Sequence, residues 1–125
     1  MLKNDVYNAL HTNSAVNALV TDRIFFNIAT KMTFPLIIVE SSQQQDSALV
    51  KSDLTNHIVV LTCVGMTYDD ASTLGDAVFT AIDRTTFGNV KSILLSGREE
   101  SSNSLDGDPD KIYFTQVLSF NVLSL

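Results

Sequence analysis

The sequence predicts an α+β fold in which helices pack on one mostly antiparallel or mixed β-sheet. A stripe of apolar residues at helical spacing follows Asp69 and Asp70. Around it lie the β-branched runs 36–39 and 58–64 and an alternating apolar segment, 112–122. In chain order these segments predict roughly helix, strand, strand, helix, strand, strand. The 125 residues, 45% of them hydrophobic, predict a single domain over 1–125, because folding buries about two thirds of such a chain's surface.

The first twenty residues predict two helical pieces. Their apolar residues recur at roughly helical spacing, with an interruption at the polar residues 11–14: Val6, Leu10, Val16, Leu19 and Val20. Asn13 or Ser14 can cap the second piece, because a short side-chain oxygen accepts from the free amides of a first turn. Residues 23–26 then predict a short extended segment.

The next strand is predicted from Leu36, Ile37, Ile38 and Val39, which are apolar on both alternating faces. This pattern is typical of a strand covered on both sides, or of one at an oligomer interface. Pro35 stands at its start, where a missing amide costs no ladder hydrogen bond. The polar residues 41–51 predict a loop or a mobile hairpin arm.

The second half predicts a long strand over 55–66, one helix and two further strands. The helix packs by one side on the sheet, through Ala71, Leu74, Val78, Ala81 and Ile82. Asp69 and Asp70 before this stripe satisfy free amides and match the positive end of the helix dipole. Residues 90–95 predict a short strand, 96–110 a long exposed acidic loop, and 112–122 a final strand with one buried face.

The reactive residue types offer little chemistry. Cys63 is the single cysteine, which excludes an intramolecular disulfide and favours a reducing compartment; its apolar strand indicates a buried hydrophobe rather than a nucleophile. His11 and His57 have no partner at metal-ligand spacing, and His57 lies about 20 Å from Cys63 along one strand. The five glycines are scattered, so no phosphate-binding loop follows a strand. We therefore expect no enzyme, no catalytic residue, no cofactor and no metal site.

Charge and hydropathy limit the partners. The net charge of −6 argues against a surface that grips nucleic acid phosphates, although it is compatible with one past which DNA moves. The apolar runs are far shorter than the roughly 20 residues that span a bilayer. Residues 1–5 have no apolar signal core behind them, so neither secretion nor membrane insertion is indicated.

Two further features suggest contact surfaces. Arg23 follows a helix and can pair within the chain, with helix-end carbonyls or Asp22, or with a carboxylate of a neighbouring subunit; both roles stay open. The acidic loop faces either a lumen or partner, or only solvent, and it carries Glu99, Glu100, Asp106, Asp108 and Asp110. The spacing of the last three is like the start of a calcium loop, but Pro109 interrupts it and no closing glutamate follows.

Over nearly its whole length the chain resembles the small tail-completion proteins of long-tailed bacteriophages, also called tail terminators or head–tail joining proteins. The resemblance lies in an N-terminal helix followed by Val16, Leu19, Val20, Arg23-Ile24, Pro35 and Ile37–Val39. It continues in Ile58–Val64, in the helix with Asp70, Ala71, Leu74, Val78 and Ile82, and in Phe120 and Val122 of the closing strand.

The resemblance implies a subunit that assembles into a hexameric ring at the head-proximal end of the tail tube. Such a ring stops tube polymerisation, offers a surface to the head connector protein, and lets DNA pass through its hole without specific binding. The partners would be further copies, the tail tube protein and the head connector, in a virion tail assembled in the host cytoplasm. The candidate subunit interface is Arg23 with Leu36, Ile37, Ile38 and Val39, and the acidic loop is the candidate lumen or partner surface.

An alternative function is a small ligand-binding or regulatory α+β domain. A specific pocket with convergent polar groups would favour it.

Overall fold

The computed structural model describes residues 2–28, 33–43, 55–105 and 108–124. Within these ranges the elements are α1 (Leu2–Thr12), α2 (Ser14–Val20), β1 (Ile24–Phe26), β2 (Leu36–Gln43), β3 (Thr55–Gly65), α3 (Tyr68–Ile82), β4 (Val90–Leu105) and β5 (Asp108–Ser124). The α+β class is confirmed. The observed order contains α2 and β1 in addition to the six predicted elements, at the positions of the second helical piece and the short extended segment.

The strands form one mixed sheet in the order β1-β2-β3-β5-β4. β1 pairs in parallel with β2, and the other neighbours are antiparallel. Helix α3 connects β3 to β4 across the sheet, and β5 then returns between them. The two edges differ, because β1 has 3 residues and β4 has 16. The described sheet therefore ends in one long unpaired strand edge, which is a potential pairing surface.

The helices cover one face of this sheet. Leu10 from α1 and Leu74 from α3 join Leu61 of β3 and Phe120 of β5 in one buried cluster. Because side chains alternate along a strand, Val60 points to the opposite face, where it is only half-buried. The hydrophobic core thus lies between the sheet and α1, α2 and α3.

Short polar side chains set the starts of two helices. Asn13 Oδ1 accepts from the amides of Ala15 and Val16, each at 3.1 Å, as predicted for the second helical piece. At α3 the cap is Thr67, whose Oγ1 accepts from the Asp70 amide at 3.0 Å. Asp69 and Asp70 lie in the first turn instead of capping it, so their contribution comes through the helix dipole.

Phe120→Ala should lower the free energy of unfolding by about 3–5 kcal/mol, because it removes a fully buried ring from the centre of the core. Urea denaturation followed by circular dichroism measures the change. The matched control is Ile28→Ala, where the side chain is 73% exposed and the expected change is within about 0.5 kcal/mol. Equal losses in the two variants would contradict the core described above.

Candidate assembly surfaces

The predicted interface strand is covered by the chain itself. Leu36, Ile37 and Val39 have no exposed surface, and Ile37 and Val39 belong to the core cluster beneath the helices. Leu36 faces the other side of the sheet, paired with Val64 of β3. The burial of these three side chains therefore needs no neighbouring subunit. Ile38, half-buried on the face away from the helices, is the member of the run that still presents apolar surface.

Arg23 joins the end of α2 to the start of β2. Its Nε donates to the Pro35 carbonyl at 2.8 Å and its Nη2 to the Leu19 carbonyl at 3.2 Å. The bond to Leu19 satisfies a carbonyl in the last turn of α2, where carbonyls have no intrahelical partner. The intrachain role considered for Arg23 is thus present, and a subunit contact through it stays a prediction.

The acidic segment is part of a β-hairpin, and the prediction of a long loop over 96–110 is wrong. β4 runs through Glu99 and Glu100 to Leu105, and β5 begins at Asp108. The register pairs Glu99 with Val117 and Ser101 with Thr115. Ladder hydrogen bonds and the strong strand pattern of β5 overcome the low strand propensity of the serine-rich half of β4.

We call residues 99–105 of β4 and 108–117 of β5 the distal hairpin. β3 stops at Gly65, which pairs with Phe114, so the outer part of the hairpin extends past β3. Glu99, Glu100 and Ile112 are exposed on it, and the ring of Tyr113 stacks on Phe34 with centroids 5.9 Å apart. Asp106 and the side chains of Asp108 and Asp110 lie outside the described residues.

Arg98 fixes the base of the distal hairpin to α3. Its Nε donates to Gln116 Oε1 at 2.8 Å, its Nη1 to Asp76 Oδ1 at 2.8 Å, and its Nη2 to the Ser72 carbonyl at 3.3 Å. One guanidinium therefore links β4, β5 and α3. Gly75 leaves the space for it, because a Cβ there would lie 2.7 Å from Nη2.

The sequence reasoning missed this guanidinium bridge. The available signal is Gly75, a glycine in the interior of a strongly helical stretch, because such a glycine usually has a packing reason. Nothing in the sequence indicates that the group occupying that space is Arg98, which is distant along the chain.

A second bond ties the same hairpin to α3. Tyr68 Oη donates to Glu100 Oε1 at 2.9 Å. This hydrogen bond and the carboxylate charge raise the pKa of Tyr68, although its ring is exposed to solvent. Glu100 is therefore engaged within the chain, whereas Glu99 points to the other face of the sheet.

Burial is the main cause of the pKa shifts of Cys63 and His57. Burial raises the pKa of the Cys63 thiol to about 12 and outweighs the opposing attraction of Arg98, so the thiol is neutral at physiological pH. Burial also lowers the pKa of His57. Among the described residues no three histidine, cysteine or acidic side chains cluster to hold a metal ion. None of the described helices is both long and apolar enough to cross a bilayer.

Replacing Arg98 by Ala should lower the free energy of unfolding by about 2–3 kcal/mol, because Gln116 Oε1 then loses its donor in a buried position. Gly75→Ala tests the same contact from the other side. In the natural protein its methyl group displaces the guanidinium; in an Arg98→Ala background it should stabilise α3 by up to about 1 kcal/mol. Chemical denaturation of the four proteins gives the double-mutant cycle, and additive effects would contradict the contact.

The Cys63 thiol should make stability fall at alkaline pH. The unfolded thiol releases its proton near its ordinary pKa of 9.0, whereas the folded one retains it up to about 12. Since the folded state binds more protons in that window, the free energy of unfolding falls by about 1.4 kcal/mol per pH unit from this group. The free energy of unfolding is measured against pH above pH 9 for the natural protein and for Cys63→Ala. The difference between the two slopes is the contribution of the thiol. Equal slopes would show that burial does not perturb the thiol.

Comparison with known proteins places the chain in a structural family. The family model described as tail completion protein gp17 matches residues 4–123. No curated protein matches the chain. Among solved structures, a chain from the virion of a native gene transfer agent particle superposes with a TM-score of 0.70 at 10% sequence identity, covering 99% of this chain and 95% of that one. At that identity the superposition establishes a shared fold. The chain belongs to the tail completion protein gp17 family and is a structural, non-enzymatic component of a phage-type virion tail.

Proposed function

We propose that the protein is the tail terminator subunit, which forms a closed ring, most simply a hexamer, on the head-proximal end of the tail tube. The ring stops tube polymerisation and presents its other side to the head connector protein. The family match over residues 4–123 is the observation that carries this proposal. Assembly takes place in the host cytoplasm, where new virions are built.

The described surface offers the features that such a subunit needs. A ring requires two different patches on each copy, because a head-to-tail contact joins unlike surfaces and closes after a fixed number of copies. The half-buried apolar face of the sheet around Ile38 is one candidate patch. The long β4 edge with its distal hairpin is a second.

Overall charge supports the passage of DNA through such a ring. The chain carries a net charge of −6, so a channel wall with the same sign repels phosphates and provides no binding sites that would retain DNA. The acidic residues of the distal hairpin, including Glu99, are candidates for a lumen or partner surface. In this function DNA is a passenger and not a ligand.

The proposal is tested by the mass and shape of the purified protein, alone and mixed with the tail tube protein of the same phage. Native mass spectrometry should show one closed oligomer, and negative-stain electron microscopy should show annular particles or tubes capped at one end. Tube protein alone is the control, and its tubes should grow longer than those formed with the terminator. A protein that stays monomeric in both conditions and leaves tube length unchanged would refute the proposal.

A further inference from the structure

A small basic depression lies on this acidic protein, at the end of the sheet where β4 begins. Its volume is about 470 Å³, and it is lined by Arg84, Thr85, Thr86, Lys91, Ser92, Ile93 and Leu94. The side chain of Arg84 is 80% exposed and Lys91 is exposed beside it. Leu94 adds an apolar surface that is 47% exposed. The depression therefore combines two solvent-facing cations with a hydrophobic residue.

The backbone fixes Arg84 at this place. Its φ of 58° lies in the left-handed region, and its amide donates to the Ile93 carbonyl at 2.8 Å. The neighbouring Asp83 accepts from the Leu95 amide at 2.8 Å through one oxygen, and its other oxygen forms an ion pair with Arg84 Nε at 3.6 Å. This pair leaves the Arg84 side chain 80% exposed. Arg84 thus directs most of its guanidinium towards solvent from a rigid backbone position.

The distal hairpin has the complementary chemistry. Glu99 is exposed near its base, and the half-buried Val117, its partner across the two strands, provides an apolar side chain on the same face. Lys91 and Glu99 are on the same strand but eight residues apart, which corresponds to about 27 Å. The basic depression and the acidic hairpin of one chain therefore cannot meet each other. They can meet only between two copies.

We infer that, within the ring proposed above and resting on that function, the distal hairpin of one copy docks on the basic depression of the next copy. Glu99 faces Arg84 and Lys91 of the neighbour, and Val117 beside it covers the neighbour's Leu94. A two-stranded hairpin that extends past its sheet is only marginally stable in water, so this docking also stabilises the hairpin. The contact is head-to-tail, and a closed ring uses every depression and every hairpin once.

Charge reversal tests the pairing directly. Glu99→Lys and Arg84→Glu should each raise the protein concentration at half assembly about tenfold at low salt, because like charges then face each other across the contact. The double variant Glu99→Lys/Arg84→Glu should return to within about threefold of the natural protein, since it restores an opposite pair. Analytical ultracentrifugation measures the assembly, and urea denaturation confirms that each variant is folded. Losses that add in the double variant would overturn the inference.

The matched controls are Asp22→Lys, at an exposed position, and Lys3→Glu, at a half-buried one. Both make the same changes of charge outside the two patches. Measured at the same ionic strength, they should leave assembly unchanged within about twofold, because neither position faces an opposite charge across the proposed contact. If they weaken assembly as much as the patch variants do, the effect is one of net charge and the inference fails.

A cross-link provides an independent measurement. In Lys91→Cys/Glu99→Cys the two thiols are too far apart for an intrachain disulfide, which needs Cα atoms within about 7 Å. Oxidation of the assembled variant should give a ladder of covalent oligomers on a denaturing gel, whereas either single variant should not. Assembled rings without a ladder would overturn the docking while leaving the proposed ring intact. Failure of the natural protein to assemble, even with tube protein, would refute both.

DNA is the competing occupant of a basic depression. If the natural protein binds duplex DNA at low salt, Arg84→Glu abolishes that binding, and assembly is unaffected by the substitution, then the depression is a phosphate site and the inference is overturned.

Discussion

The pairing of β5 with strands on both of its sides is the constraint on which the rest of the structure depends. β5 is 17 residues long and lies between β3 and β4. Its helix-facing residues Leu118, Phe120 and Val122 are buried in the core, while its other end supports the polar half of β4. One strand therefore holds together the hydrophobic core and the hairpin that extends from it.

The attachment of that hairpin depends on polar bonds rather than on core packing. Beyond the end of β3, the distal hairpin has no third strand to pair with, and a two-stranded hairpin alone is marginally stable. At its base, Arg98 bonds to Gln116 of β5, and three bonds cross to α3: Arg98 to Asp76, Arg98 to Ser72, and Tyr68 to Glu100. These bonds set the direction of the hairpin relative to α3, which the proposed docking requires.

The surface chemistry is compatible with the ring proposed for this protein. The chain carries a net charge of −6, the Cys63 thiol is buried, and the Glu100 carboxylate accepts a hydrogen bond from Tyr68. The exposed side chains of Arg84 and Lys91 are positively charged, opposite in sign to the net charge. In the proposed ring, attraction between opposite charges would hold neighbouring copies together, and negative charge along the channel would repel DNA phosphates.

The sequence by itself determined the class of fold and the positions of α2, α3 and the central strands, because these follow from local periodicity and residue types. Asn13 is a cap that local reasoning identifies correctly. The resemblance to tail-completion proteins, now confirmed, also comes from the linear order of apolar positions.

Only the tertiary structure decided that residues 96–105 form a strand, because their conformation is imposed by β5 and not by their own propensity. It likewise decided that Leu36, Ile37 and Val39 are buried within the chain while Ile38 stays half-buried. Finally, it brought Arg98 to Gly75 and Arg84 to Lys91. These two juxtapositions depend on the order of the strands in the sheet. The pattern of side chains along the sequence does not specify that order.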